Sequence, residues 1–79
     1  MANIPPHIHK EMDLSFDIAD RTDAILNAKG WSHKDLAKAL NKTEGEVSRW
    51  LTGRHDFTLR TLAKISCVLN SDIIKVAKF

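Results

Sequence analysis

One cysteine, three glycines, two prolines and no tyrosine occur in the 79 residues. The lone Cys67 excludes an internal disulfide framework, so cohesion must come from helix packing or from an oligomer interface. Cys67 itself falls within a predicted helix, where a small buried apolar residue is expected. No apolar run approaches the roughly 20 residues of a membrane span, and no signal-peptide core opens the chain. A cytoplasmic protein with no membrane partner is therefore expected. There is no glycine-rich phosphate loop and no ligand-sized pocket is expected. His7 and His9 are two nitrogen ligands without a third beside them, which falls short of a metal site. Ser32, His33 and Asp35 lie on one turn of a predicted helix, where such close neighbours do not face one another, so they do not assemble a catalytic set. The expectation is no enzyme, no cofactor and no metal. Trp31 and Trp50 occupy a helix joint and a core stripe, and with no tyrosine present a stacking platform for single strands is disfavoured.

A net charge of +2 is small, but it is unevenly placed. Residues 1–28 carry five acidic and two basic residues, a balance of −3, whereas residues 29–79 carry ten basic and five acidic, a balance of +5. A nucleic-acid footprint confined to one side produces such an asymmetry, although ordinary solvated faces can do the same.

What is present is a run of short helical signals. Pro5-Pro6 and the absence of a helical period predict an extended or disordered arm over 1–13, followed by one domain over 14–79. Ser15 or Asp13 is a candidate N-cap for a first helix, whose inner stripe is Ile18, Thr22, Ile25, Leu26 and Lys29. Gly30 ends it, and Trp31 folds back over the next joint. Ser32 with Asp35, and Thr43 with Glu46, are capping-box signals for helices over His33–Leu40 and Glu44–Leu51. Leu36, Ala37 and Leu40 form one apolar stripe and Val47, Trp50 and Leu51 the next, with about three residues between the helices. That is helix-turn-helix geometry, in which the second helix enters the major groove of double-stranded DNA. Thr58 caps a fourth helix over Leu59–Leu69, striped by Leu62, Ile65, Ser66 and Leu69. Ser71 or Asp72 opens a short fifth through Ile73, Ile74 and Val76. An all-α, compact five-helix domain follows.

At Ser32, Leu36-Ala37, Thr43, Val47-Ser48, Trp50 and Gly53, and onward through Phe57 to Leu69, the chain resembles the Xre/Cro-type helix-turn-helix family. That resemblance spans roughly residues 14–74 and implies the lambda-repressor-like fold. Two departures stand out: His33 replaces a frequent glutamine, and Asn41 replaces a glycine at the end of a helix. The resemblance implies base contacts from the exposed positions Glu44, Gly45, Ser48 and Arg49. Arginine is the commonest reader of guanine and glutamate can accept from cytosine, while Gly45 allows close approach or is merely tolerated. It implies phosphate contacts from His33, Thr43, Thr52, Arg54 and Thr58, with His55 and Arg60 completing a basic cluster around the loop after the reader helix. It further implies a repressor that binds as a homodimer. Residues 50–59 look like the HigA-like antitoxins, which implies a toxin protein as a further partner. Two alternatives stand beside this reading. One is a protein–protein adaptor that uses the same fold without reading DNA, supported by Glu44 and Glu46 on the reader helix. The other is a piece of a longer phage regulator.

Overall fold

Pro5 and Pro6 open a helix instead of interrupting one. The computed structural model describes residues 4–52 and 57–77, and α1 runs Pro6–Lys29. Pro6 stands at the first helical position, where an N–H would have no helical partner and a φ near −65° is already set. Pro5 lies just outside in extended backbone, and its carbonyl accepts from Ile8 N–H at 3.0 Å. The extended arm expected over 1–13 is therefore helical from residue 6. Asp13 and Ser15, the expected caps, are interior residues of α1.

The next three helices coincide with the predicted spans: α2 His33–Leu40, α3 Glu44–Leu51 and α4 Leu59–Leu69. Among the described residues there are four helices, not five, and no strand. The expected fifth helix is replaced by a tethered tail. Asn70 ends α4 in the left-handed conformation. The polar backbone groups that follow are then used across the fold: the Arg21 side chain donates to the Asp72 carbonyl at 3.3 and 3.4 Å, and Ile73 N–H donates to Ser66 Oγ at 3.3 Å. These bonds draw Ile73 into the core, and the β-branched run offers little helical preference to oppose them.

α1, α2 and α4 end alike. Gly30, Asn41 and Asn70 are left-handed, and in each case the next N–H reaches back to the carbonyl five residues earlier, as in Trp31 to Leu26 at 2.9 Å and Lys42 to Ala37 at 2.9 Å. This double closure satisfies the last carbonyls of a helix, and asparagine is the side chain that best tolerates it after glycine. The Asn41 departure therefore leaves the turn intact.

The core is formed by Ile25 and Leu26 of α1, Leu36 and Ala37 of α2, Val47 and Trp50 of α3, Leu62, Ile65 and Leu69 of α4, and Ile73 of the tail. α3 packs on α1 and α2, and α2 packs on α4. Trp31 packs against this core half-buried, as its place at the joint predicts. Lys29, expected on the inner stripe, is exposed, and Ala19 is buried on α1 in its place. Cys67 is exposed, not buried. It lies two residues beyond Ile65, a turn of about 200° that carries it to the opposite side of α4. The first half of α1 overhangs the core, leaving Met12, Leu14 and Phe16 roughly half exposed. Between it and Phe57, Leu62 and Ile74 lies an open groove of about 660 Å³, where no space of ligand size was expected.

Candidate nucleic-acid interface

The starts of α2, α3 and α4, which the sequence singles out, are closed in different ways. At α2 the capping box is complete: Ser32 Oγ accepts from Asp35 N–H at 3.1 Å, and the Asp35 carboxylate accepts from Ser32 N–H at 2.8 Å. Hydrogen bonding from Ser32, backbone first and side chain second, holds the Asp35 carboxyl below the usual carboxylate range, with Lys38 and Lys34 adding to the effect. At α3 only the forward half of the expected box is formed among the described residues: Thr43 Oγ1 accepts from Glu46 N–H at 3.1 Å. At α4, Thr58 Oγ1 accepts from Thr61 N–H at 3.1 Å, and the first turn holds no acidic residue. The α2 start thus has its own carboxylate on it, while no acidic residue of the first turn offsets the partial positive charge at the start of α4.

The faces of α3 divide by the helical period. Val47 and Trp50 are buried, and Leu51 packs half-buried against the core. Glu44, Gly45 and Arg49 are exposed, and Ser48 is half-buried. Gly45 carries no positive φ, and a Cβ there would meet nothing nearer than Thr43 Oγ1 at 3.9 Å. The fold therefore has no steric need of glycine at this position. Glycine in a helix is nonetheless less favourable than alanine, by up to about 0.5–1 kcal/mol, the interior value being the upper bound for a residue in the first turn.

Phosphate oxygens accept hydrogen bonds, so a candidate phosphate contact must have a donor to offer. Thr43 and Thr58 accept a backbone N–H through oxygen, which leaves the hydroxyl proton of Thr43 available outward. Thr52 differs. It is the C-cap of α3, and its hydroxyl donates to the Arg49 carbonyl at 2.7 Å, so its single O–H is already used. His33 Nε2 lies 3.0 Å from Asp23 Oδ1, with both side chains about two-fifths exposed (40% and 43%). Only the doubly protonated ring can hold Asp23 at one nitrogen and a phosphate at the other. Arg60 is exposed on the first turn of α4. Arg54 and His55 lie outside the described residues.

Two features escaped the sequence. Asp23 is ten residues from His33 and on another helix, so no local spacing pairs them. Lys42, Arg60 and Lys64 border one pocket of about 260 Å³ together with Leu40, Trp50 and Thr61. The four-residue step from Arg60 to Lys64 was legible as one helix face, but the approach of Lys42 from the turn was not.

A family model described as helix-turn-helix matches residues 24–76. No curated protein and no solved structure matches the chain.

Proposed function

The chain belongs to the helix-turn-helix family of DNA-binding regulators, and from that premise we propose that it is a sequence-specific transcriptional repressor that lays α3 in the major groove of double-stranded DNA. The observation that carries this reading is the outer face of α3. An exposed glycine that the fold does not require stands one turn before an exposed arginine, on a helix whose other face is core. A glycine retained at a cost to stability is accounted for if the helix backbone must come close to a ligand.

In this reading Arg49 donates to a guanine edge, Glu44 accepts from a cytosine amino group, Gly45 admits the backbone, and Ser48 lies at the rim of the contact. Thr43, Arg60 and one hydroxyl of the Thr58–Thr61 pair, whose mutual bond leaves a single proton over, hold phosphates, joined by His33 in its doubly protonated form and by Arg54 and His55. Thr52 is left out of this set because its donor is used within α3. Binding of two copies about a two-fold axis follows from the small domain and its single reader helix, and the half-exposed apolar residues of α1 favour an assembled state. The narrower reading, an antitoxin with a basic toxin partner, draws support from residues 50–59 and from the acidic balance of residues 1–28. A cytoplasmic location accords with a DNA target.

Selection of bound sites from random duplex DNA tests the proposal. The expected product is a pair of inverted half-sites with centres about 10 base pairs apart. Recovery of no preferred sequence, with binding independent of salt, would refute it in favour of a protein–protein adaptor.

A further inference from the structure

The pocket bounded by Lys42, Arg60 and Lys64 carries charge that folding does not explain. Lys42 sits in the turn before α3, and Arg60 and Lys64 lie one turn apart on α4. Like charges at this helical spacing repel, and a third cation approaching from the turn adds to the repulsion. No carboxylate is among the described residues lining the pocket, and the one ion pair among the described residues, His33 with Asp23, lies elsewhere. Among the described residues, three cations thus gather around a concavity that no carboxylate lines and no ion pair neutralises.

The rest of the lining suits one kind of ligand. Thr61 borders the pocket, and its Oγ1 is 3.0 Å from Thr58 Oγ1. That hydroxyl pair has two protons and uses one in the mutual bond. When Thr58 donates, the Thr61 proton is left for an acceptor in the pocket. Arg60 and Thr61 are also in the first turn of α4, where no acidic residue offsets the helix dipole. The volume, about 260 Å³, is below the range of drug-sized sites and sufficient for a phosphate group.

We propose that this pocket is a phosphate seat, built by Lys42, Arg60, Lys64 and Thr61. The source that fits its place beside α3 is a backbone phosphodiester of the bound DNA. That choice of source rests on the DNA-binding reading, whereas the seat itself does not. Lys42 and Lys64 then join Arg60 as groups that anchor the duplex without reading its sequence.

The full chain and its Lys42→Gln, Lys64→Gln and doubly substituted forms test this. Duplex binding is measured across salt for the selected site and a scrambled one, and pyrophosphate is titrated while the Trp50 indole and Thr61 amide resonances are followed. Melting curves establish that each variant is folded. Each single substitution should lower the salt slope by about one unit on both duplexes. Equivalently, the affinity lost between about 50 and 200 mM salt should shrink about threefold per variant, with base preference unchanged. Pyrophosphate should shift both resonances in the natural protein and neither in the double variant. Pyrophosphate binding with unchanged DNA slopes would support the seat and assign it to a free phosphate ligand. Pyrophosphate binding by a protein that binds no DNA would keep the seat and reject the DNA reading. If folded variants keep the full salt slope and pyrophosphate shifts neither resonance, the seat is refuted.

Discussion

Gly45→Ala separates what the fold wants from what a ligand wants. The new methyl group would sit 3.9 Å from Thr43 Oγ1, an ordinary contact, with nothing else within 4 Å. No strain is introduced, so the expected effect on the free protein is the helical preference of alanine, a gain of up to about 0.5–1 kcal/mol. In a domain of this size that raises the melting temperature by up to about 3–6 °C. Binding should move the other way. If the α3 backbone lies against DNA at this position, a methyl group there must be accommodated by displacing the helix. Overpacking of a fitted contact costs about 1–3 kcal/mol, a five- to 150-fold rise in Kd. The assay pairs thermal melts with titrations of the selected duplex and a scrambled duplex. A stabilised variant with weakened binding to the selected site is the expected result. A stabilised variant that binds as tightly as the natural protein would show that Gly45 is merely tolerated, and the close-approach argument for α3 would fail.

Arg49 and Trp50 are adjacent but face opposite ways. Arg49→Ala should cost about 1–3 kcal/mol in specific binding with melting unchanged. Trp50→Ala should remove about 3–5 kcal/mol from a total stability of about 4–12 kcal/mol for 79 residues, lowering the melting temperature steeply. A folded Arg49→Ala variant with unaltered base preference would remove α3 as the reader. Thr52→Val should leave the salt slope unchanged, because the lost hydroxyl was bonded to the Arg49 carbonyl; a slope lowered by about one unit would return Thr52 to the phosphate set. Asp35 has a folded pKa below its unfolded one, so its contribution to stability is present at neutral pH and is lost as pH falls through the folded value. Urea melts from neutral pH to about pH 3 should show a shallower acid loss for Asp35→Asn, and identical acid limbs would refute this account of the α2 cap.

The sequence by itself determined the parts of this protein that depend on neighbours within a few residues. The spans of α2, α3 and α4 are local matters of a cap and an apolar stripe, with a left-handed stop at α2 and α4, and Ser32, Thr43, Thr58, Asn41 and Asn70 announce them. The division of α3 into a core face with Val47 and Trp50 and an outer face with Gly45 and Arg49 is likewise only its 3.6-residue period. Tertiary structure decided what local pattern leaves degenerate. Pro5-Pro6 is compatible with an arm or a helix start, and it opens α1. Residues 71–77 have competing backbone partners: Arg21, far away in sequence, takes the Asp72 carbonyl that a fifth helix would have needed, and Ser66 on α4 holds Ile73 N–H. Cys67, by contrast, is exposed for a local reason, since it lies about 200° around α4 from Ile65 in the buried stripe. Two of the relations among the candidate contact residues are tertiary. Asp23 on His33 and the approach of Lys42 to Arg60 and Lys64 arise from elements brought together by the core, whereas the closed hydroxyl of Thr52 is local to the end of α3. Hydrogen bonds and charges act over a few ångströms of space, whereas sequence spacing measures that distance only along a single helix.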